Sequence, residues 1–127
     1  MYKEMDKLLE EFPVLFDLNA VEEIPFKYRG PEIGIGWIPL VREMVQKLEA
    51  QAKLENRTTE NPVKCAQIKE KFGLLRCYLM NTSEAMQEIV HEYENKSSVI
   101  CESCGAPGKR YTDGWQRVKC EACEKVR

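Results

Sequence analysis

Two C-x-x-C pairs, Cys101-Glu102-Ser103-Cys104 and Cys120-Glu121-Ala122-Cys123, lie fifteen residues apart near the end of the chain. A C-x-x-C turn aims two sulfurs at one point, and its backbone N–H groups stabilise the thiolates. Gly105 suits the left-handed backbone that follows the second sulfur. Between the pairs runs Arg110-Tyr111-Thr112-Asp113-Gly114-Trp115-Gln116-Arg117-Val118. Asp-Gly favours a two-residue type I′ turn, so this segment predicts a short hairpin centred on Asp113-Gly114 that folds the second pair back onto the first. Four soft ligands so arranged suit one tetrahedral zinc ion. The expected module is a zinc ribbon or treble-clef-like knuckle ligated by Cys101, Cys104, Cys120 and Cys123. With four thiolates the coordination shell is closed, which makes the ion structural. A redox C-x-x-C occurs singly at a helix start, which two pairs linked by a hairpin do not match.

A disulfide framework is the competing use of six cysteines, and it belongs to exported chains. The N-terminal Met1-Tyr2-Lys3-Glu4-Met5-Asp6 lacks the apolar run of a secretory signal. No window approaches the ~18 apolar residues of a membrane span. A cytoplasmic chain is therefore expected, without membrane association. Its 127 residues, 43% of them hydrophobic, suffice for one core of their own. The expected organisation is an α+β domain over residues 1–98 and a four-cysteine zinc-ribbon module over 99–127.

Apolar periodicity fills in the larger part. Met5, Leu8, Leu9 and Phe12 predict a helix over residues 3–12. Residues 24–36, with Pro25, Gly30, Pro31, Gly34 and Gly36, read as an irregular segment. Trp37, Val41, Met44, Val45 and Leu48 stripe a helix from Trp37 to about Leu54, with Pro39 in its first turn. Residues 63–68 and 74–80 predict a β-hairpin joined by the five residues Lys69-Glu70-Lys71-Phe72-Gly73. If Ile68 pairs with Leu74, Cys65 falls opposite Cys77 on the buried face. Thr82 or Ser83 caps a helix to about Lys96, cored by Met86, Ile89, Val90 and Tyr93. The fold class is thus α+β: helices on a small antiparallel hairpin sheet, followed by the zinc module.

Other chemistry is sparse. His91, the single histidine, shares a polar helix face with Glu84, Glu88 and Asn95, as a solvated histidine would. Cys65 and Cys77 read as buried reduced thiols rather than a disulfide or thiol switch. Gly34-Ile35-Gly36 before Trp37 would suit a phosphate at a helix start, but no Walker or Rossmann glycine pattern surrounds it. No Ser/His/Asp set or placeable carboxylate pair points to an enzyme. Arg110, Tyr111, Trp115, Arg117 and Lys119 form the aromatic-plus-basic set of a nucleic-acid-binding ribbon. Charge weakens that reading. From Ser97 onward six Lys/Arg face four acids, and four thiolates with Zn²⁺ bring the module to about zero.

Gly36-Trp37-Ile38-Pro39-Leu40, Gln67-Ile68-Lys69-Glu70-Lys71-Phe72-Gly73-Leu74-Leu75-Arg76, and Cys101-Glu102-Ser103-Cys104-Gly105-Ala106-Pro107-Gly108 followed by Gly114-Trp115 carry a resemblance. Over roughly residues 33–123 the chain resembles a family of small proteins found in bacterial, phage and prophage genomes. Members of that family often close the second pair with Cys-x-x-His, where this chain has Cys123. The resemblance implies the architecture and a bacterial or phage origin, but no activity. The resulting expectation is a non-enzymatic zinc protein that binds another protein, as a phage-encoded regulator or inhibitor of a host factor. The alternative is a nucleic-acid-binding zinc-ribbon regulator.

Overall fold

A computed structural model describes residues 32–58 and 60–126. The helix expected over 3–12 and most of the irregular segment 24–36 lie outside them. Among the described residues the fold is α+β, with three α-helices and two antiparallel hairpins.

A 3-10 turn, Ile35–Trp37, leads into helix α1, Ile38–Leu54, with Pro39 in its first turn. Trp37, Val41, Met44, Val45, Leu48 and Ala52 are almost completely buried along one face, the stripe that the sequence spacing demands. Asn56 ends the helix in the left-handed region (φ 55°). Its N–H donates to the Lys53 carbonyl (3.1 Å) and that of Arg57 to the Ala52 carbonyl (3.0 Å), which together close a Schellman motif. Helix α2, Glu84–Lys96, starts at Ser83, whose Oγ accepts from the Met86 N–H (3.2 Å). Met86, Val90 and Tyr93 face α1, and the Tyr93 hydroxyl reaches Glu43 Oε1 across the helix pair (2.8 Å).

Strands β1 (Lys64–Lys71) and β2 (Leu74–Met80) form the first hairpin. Lys71 pairs with Leu74, so only Phe72 and Gly73 connect the strands, with φ of 53° and 84°. Both values are positive, as a type I′ turn requires. The expected five-residue connection is therefore corrected to two. The register moves with it: Ile68 faces Cys77, and Cys65 faces Leu79 rather than Cys77, with a bulge between Cys65 and Gln67. The tight turn extends β1 by three residues and shifts every partner.

A lone two-stranded sheet is marginal in water, and here both of its edges find partners. On the β2 side, the Leu75 N–H donates to Ser97 Oγ (3.0 Å) and the Cys77 N–H to Glu94 Oε2 (3.2 Å), so side chains at and just beyond the end of α2 occupy the ladder positions. On the β1 side, Glu32 makes a parallel bridge through its N–H to Ile68 O (2.8 Å) and its carbonyl to Glu70 N (3.1 Å). Residue 32, expected in an irregular loop, thus extends the sheet.

A second 3-10 turn, Ser97–Val99, leads into the cysteine-rich part. There β3 (Lys109–Tyr111) pairs with β4 (Arg117–Lys119), and a short helix α3 (Glu121–Val126) follows. Val118 of β4 is fully buried in the same core as Trp37 and Leu75.

Candidate metal centre and the cleft beside it

The first cysteine pair lies on a knuckle whose loop closes on itself. The Cys101 N–H donates to the Ala106 carbonyl (2.8 Å), and the Gly105 N–H to the Cys101 carbonyl (2.8 Å). Gly105 is left-handed at φ 84°, as its position after the second sulfur requires. The second pair opens α3, where the Cys123 N–H points at the Cys120 sulfur (3.4 Å). Pairing of β3 with β4 brings the two turns together. The Cys101, Cys104, Cys120 and Cys123 sulfurs all lie within 4.8 Å of one another, with Cys104 and Cys120 3.6 Å apart. Four ligands about 2.3 Å from a tetrahedral ion stand roughly 3.8 Å from each other. The cluster therefore fits one metal ion.

Its electrostatics favour a cation. Burial pushes the Cys101 thiol up, but N–H groups of Cys120, Cys104 and Ser103 outweigh it and hold the thiol at about 6. Cys123 moves the other way. Hydrogen bonding to the Cys120, Cys104 and Cys101 sulfurs pushes it up to about 12. Four sulfurs this close cannot all ionise unaided, and a divalent ion at their centre removes the conflict.

The knuckle is packed into the rest of the fold. Glu102 reaches back to the start of α1, where its Oε2 accepts from the Gly34 N–H (2.8 Å) and its carbonyl from the Gly36 N–H (2.8 Å). Trp37 Nε1 donates to the Ile100 carbonyl (2.8 Å). These bonds account for Gly34-Ile35-Gly36: the N–H groups that would have suited a phosphate hold a carboxylate and a carbonyl of the chain itself. Nothing in the sequence marked Glu102 for this task beyond its place between two ligands.

Of the five residues expected to form a nucleic-acid face, Arg117 and Lys119 are engaged within the fold. Arg117 is 5% exposed, and its guanidinium donates to the Asp113 carbonyl (2.9 Å), the Trp115 carbonyl (2.6 Å) and Glu124 (2.9 Å). It also stacks on Tyr111, 5.0 Å from the ring centre. Lys119 bonds to Ser103 Oγ. Trp115 is the one large hydrophobic side chain of the five that stands exposed, at 77%. The turn between the strands is also longer than expected. Tyr111 pairs with Arg117, so residues 112–116 form the connection, and of Asp113-Gly114 only Gly114 (φ 69°) is left-handed. Arg117, bonded to two carbonyls of this loop, provides the reason for its width.

That loop stands beside the tip of the first hairpin. Arg110 donates both to the Phe72 carbonyl (2.6 Å) and to Gln116 Oε1 (2.6 Å), joining the two. Between them opens a cleft of about 420 Å³ lined by Phe72, Trp115, Lys69, Glu70 and Lys71. Phe72 was not singled out from the sequence, where it was one of five residues in the expected connection.

His91 is exposed on α2, and Cys65 and Cys77 are buried free thiols. Hydrogen bonding to Cys65 and then burial push the Cys77 thiol well above its ordinary value, which makes it a poor nucleophile. No described helix is long and apolar enough to cross a membrane. Comparison of the chain with protein-family models, curated proteins and solved structures finds no match.

Proposed function

We propose that this chain is a non-enzymatic recognition protein that binds another protein, and that one zinc ion held by Cys101, Cys104, Cys120 and Cys123 gives its surface a fixed shape. The donor set supports zinc: four thiolates at tetrahedral spacing are its characteristic structural shell, which leaves no position for a substrate. The observation that carries protein recognition is the pair of exposed aromatic side chains, Phe72 and Trp115, on one cleft between two cross-braced hairpin tips. Aromatic anchors in preformed pockets dominate protein interfaces. The resemblance to bacterial and phage proteins supplies the setting, a regulator or inhibitor of a host factor acting in the bacterial cytoplasm.

Against nucleic acid as the partner stands the engagement of Arg117 and Lys119 within the fold. Two measurements test the proposal. Elemental analysis of the purified chain should find one zinc per molecule. Fluorescence anisotropy with labelled single- and double-stranded DNA and RNA should show no binding at tens of micromolar in low salt. Binding that weakens steeply with salt and disappears in Trp115→Ala would replace protein recognition with the nucleic-acid reading.

A further inference from the structure

Phe72 occupies a position that neither folding nor solubility favours. It is 61% exposed, so burial gives its ring little. It is also left-handed, at φ 53°, where a non-glycine side chain costs roughly 1–2 kcal/mol. At the first position of a type I′ turn, Asn, Asp or Gly would remove most of that cost. An exposed aromatic held in a disfavoured backbone conformation is a mark of a binding residue. Trp115 stands across the cleft on a loop whose carbonyl groups are fixed from below by Arg117. Arg110 ties that loop to the Phe72 carbonyl.

We infer that this cleft is the docking site for an extended segment of the partner protein that presents an apolar side chain flanked by carboxylates. The inference rests on the protein-recognition reading above. The apolar side chain enters between the hairpin tips, where the two aromatic rings supply contact area with few rotamers to lose. The carboxylates follow from charge. Lys69 and Lys71, the latter 5.6 Å from the Phe72 ring centre, outnumber the one acid of the lining, Glu70, whose carboxylate accepts the Gly73 N–H (2.7 Å), so the cleft carries a net positive charge. The lips are braced before any partner arrives, so little ordering cost remains. A volume of about 420 Å³ lies within the range of sites that enclose small ligands or a few side chains.

Phe72→Asn provides a test that does not depend on damaging the fold. If the ring serves binding, the variant melts at a higher temperature than the wild type and loses binding by roughly tenfold or more. The probe is a random short-peptide display library selected on the zinc-loaded full chain, with Phe72→Asn and Trp115→Ser used in parallel. Enrichment of peptides that combine Asp or Glu with an aliphatic or proline residue, lost in both variants, supports the assignment. Enrichment that survives both variants, enrichment of basic peptides, or no enrichment overturns it. The parent reading fails separately. Cross-linking in cells that captures one protein with wild type and both variants alike would keep protein recognition and move it off this cleft. Binding of oligothymidylate or oligouridylate that requires Phe72 and Trp115 would overturn both.

Discussion

Gly36 lies directly against the backbone of Cys101: a methyl group on its α-carbon would sit 2.4 Å from the Cys101 carbonyl oxygen. It would also meet the Gly105 nitrogen at 2.5 Å and the Glu102 carbonyl oxygen at 2.6 Å. All three obstacles are backbone atoms of the metal knuckle, which cannot rotate away as a side chain could. The start of α1 and the candidate metal site are therefore one packed unit.

Gly36→Ala should accordingly lower stability by about 1–3 kcal/mol through overpacking, although alanine is the better helix former. It should also weaken metal binding, because relief of the clash requires the knuckle to move. Thermal melts and competition with a chromogenic zinc chelator would measure both. Reduced stability with unchanged chelator competition would mean that the two parts are less tightly coupled than their packing implies.

The same contact changes what metal loss should do. From the sequence, replacing Cys104 is expected to unfold the tail and spare helix 37–54. In the structure the Trp37 indole donates to Ile100 O, and Glu102 holds the backbone of Gly34 and Gly36. Cys104→Ser in a Trp115→Phe background, where Trp37 is the remaining tryptophan, should therefore shift its emission to longer wavelength. Bound zinc should fall well below one per chain, since binding worth about 10–16 kcal/mol underlies such folds. An unchanged Trp37 spectrum after metal loss would restore the independent-tail view.

The parts of this fold that were legible in the sequence are those with a dense local signal. The stripe from Trp37 to Leu48, a cap at Thr82 or Ser83 and the two C-x-x-C pairs each follow from residue type and spacing. The two turns were read the wrong way round. Asp113-Gly114 looked like the tight turn and the segment ending in Phe72-Gly73 like the wide one, because turn preferences count only local chemistry. Two long-range facts decide otherwise. Arg117 needs a wide loop whose carbonyls it can reach, and Phe72 accepts an unfavourable φ at a surface cleft. The expected nucleic-acid face meets a related limit: composition places Arg117 and Lys119 beside Trp115, but it cannot show that both are engaged inside the module. Glu102 was invisible because a carboxylate serving backbone N–H groups far along the chain leaves no periodic trace.

Burial of a backbone donor against a side chain provides a third test. Ser97 is fully buried, accepts the Leu75 N–H (3.0 Å) and donates to the Glu94 carbonyl (2.5 Å). Ser97→Ala removes that acceptor from the β2 edge and should cost about 1–3 kcal/mol, more than its small change in volume suggests. Amide exchange should quicken at Leu75. A variant as stable as the wild type would mean that water replaces the hydroxyl.

Glu55 sets a pH dependence. Its carboxylate accepts from the Ser83 hydroxyl (2.6 Å), Gln51 Nε2 (2.8 Å) and Arg57 Nε (3.0 Å), tying the end of α1 to the start of α2. The Ser83 bond first, then that from Gln51, holds its pKa below the ordinary carboxylate value. Because the folded pKa is the lower one, this stabilisation is complete above the unfolded value of about 4.3 and fades as pH falls through the folded one. The stability advantage of wild type over Glu55→Gln should be constant near neutrality and shrink below about pH 4. Taking the difference between the two proteins cancels the acid release of metal that both share. An advantage that grows on acidification would contradict the assignment.

Arg117 offers the sharpest contrast between a buried cation and an exposed one. Its guanidinium spans the Asp113 and Trp115 carbonyls and Glu124, the residue after a candidate ligand, while being 5% exposed. Arg117→Met would leave Glu124 and two loop carbonyls without that donor and should lower the melting temperature clearly. Arg117→Lys should recover only part of that loss, because an ammonium cannot reach both loop carbonyls and the carboxylate with a planar fork. Arg110→Met, at an exposed position, should change stability by about 0–1 kcal/mol. If the two arginines serve nucleic acid rather than the fold, the difference vanishes: both variants would melt like the wild type and both would lose oligonucleotide binding. Thermal denaturation of the three zinc-loaded variants side by side decides between those outcomes.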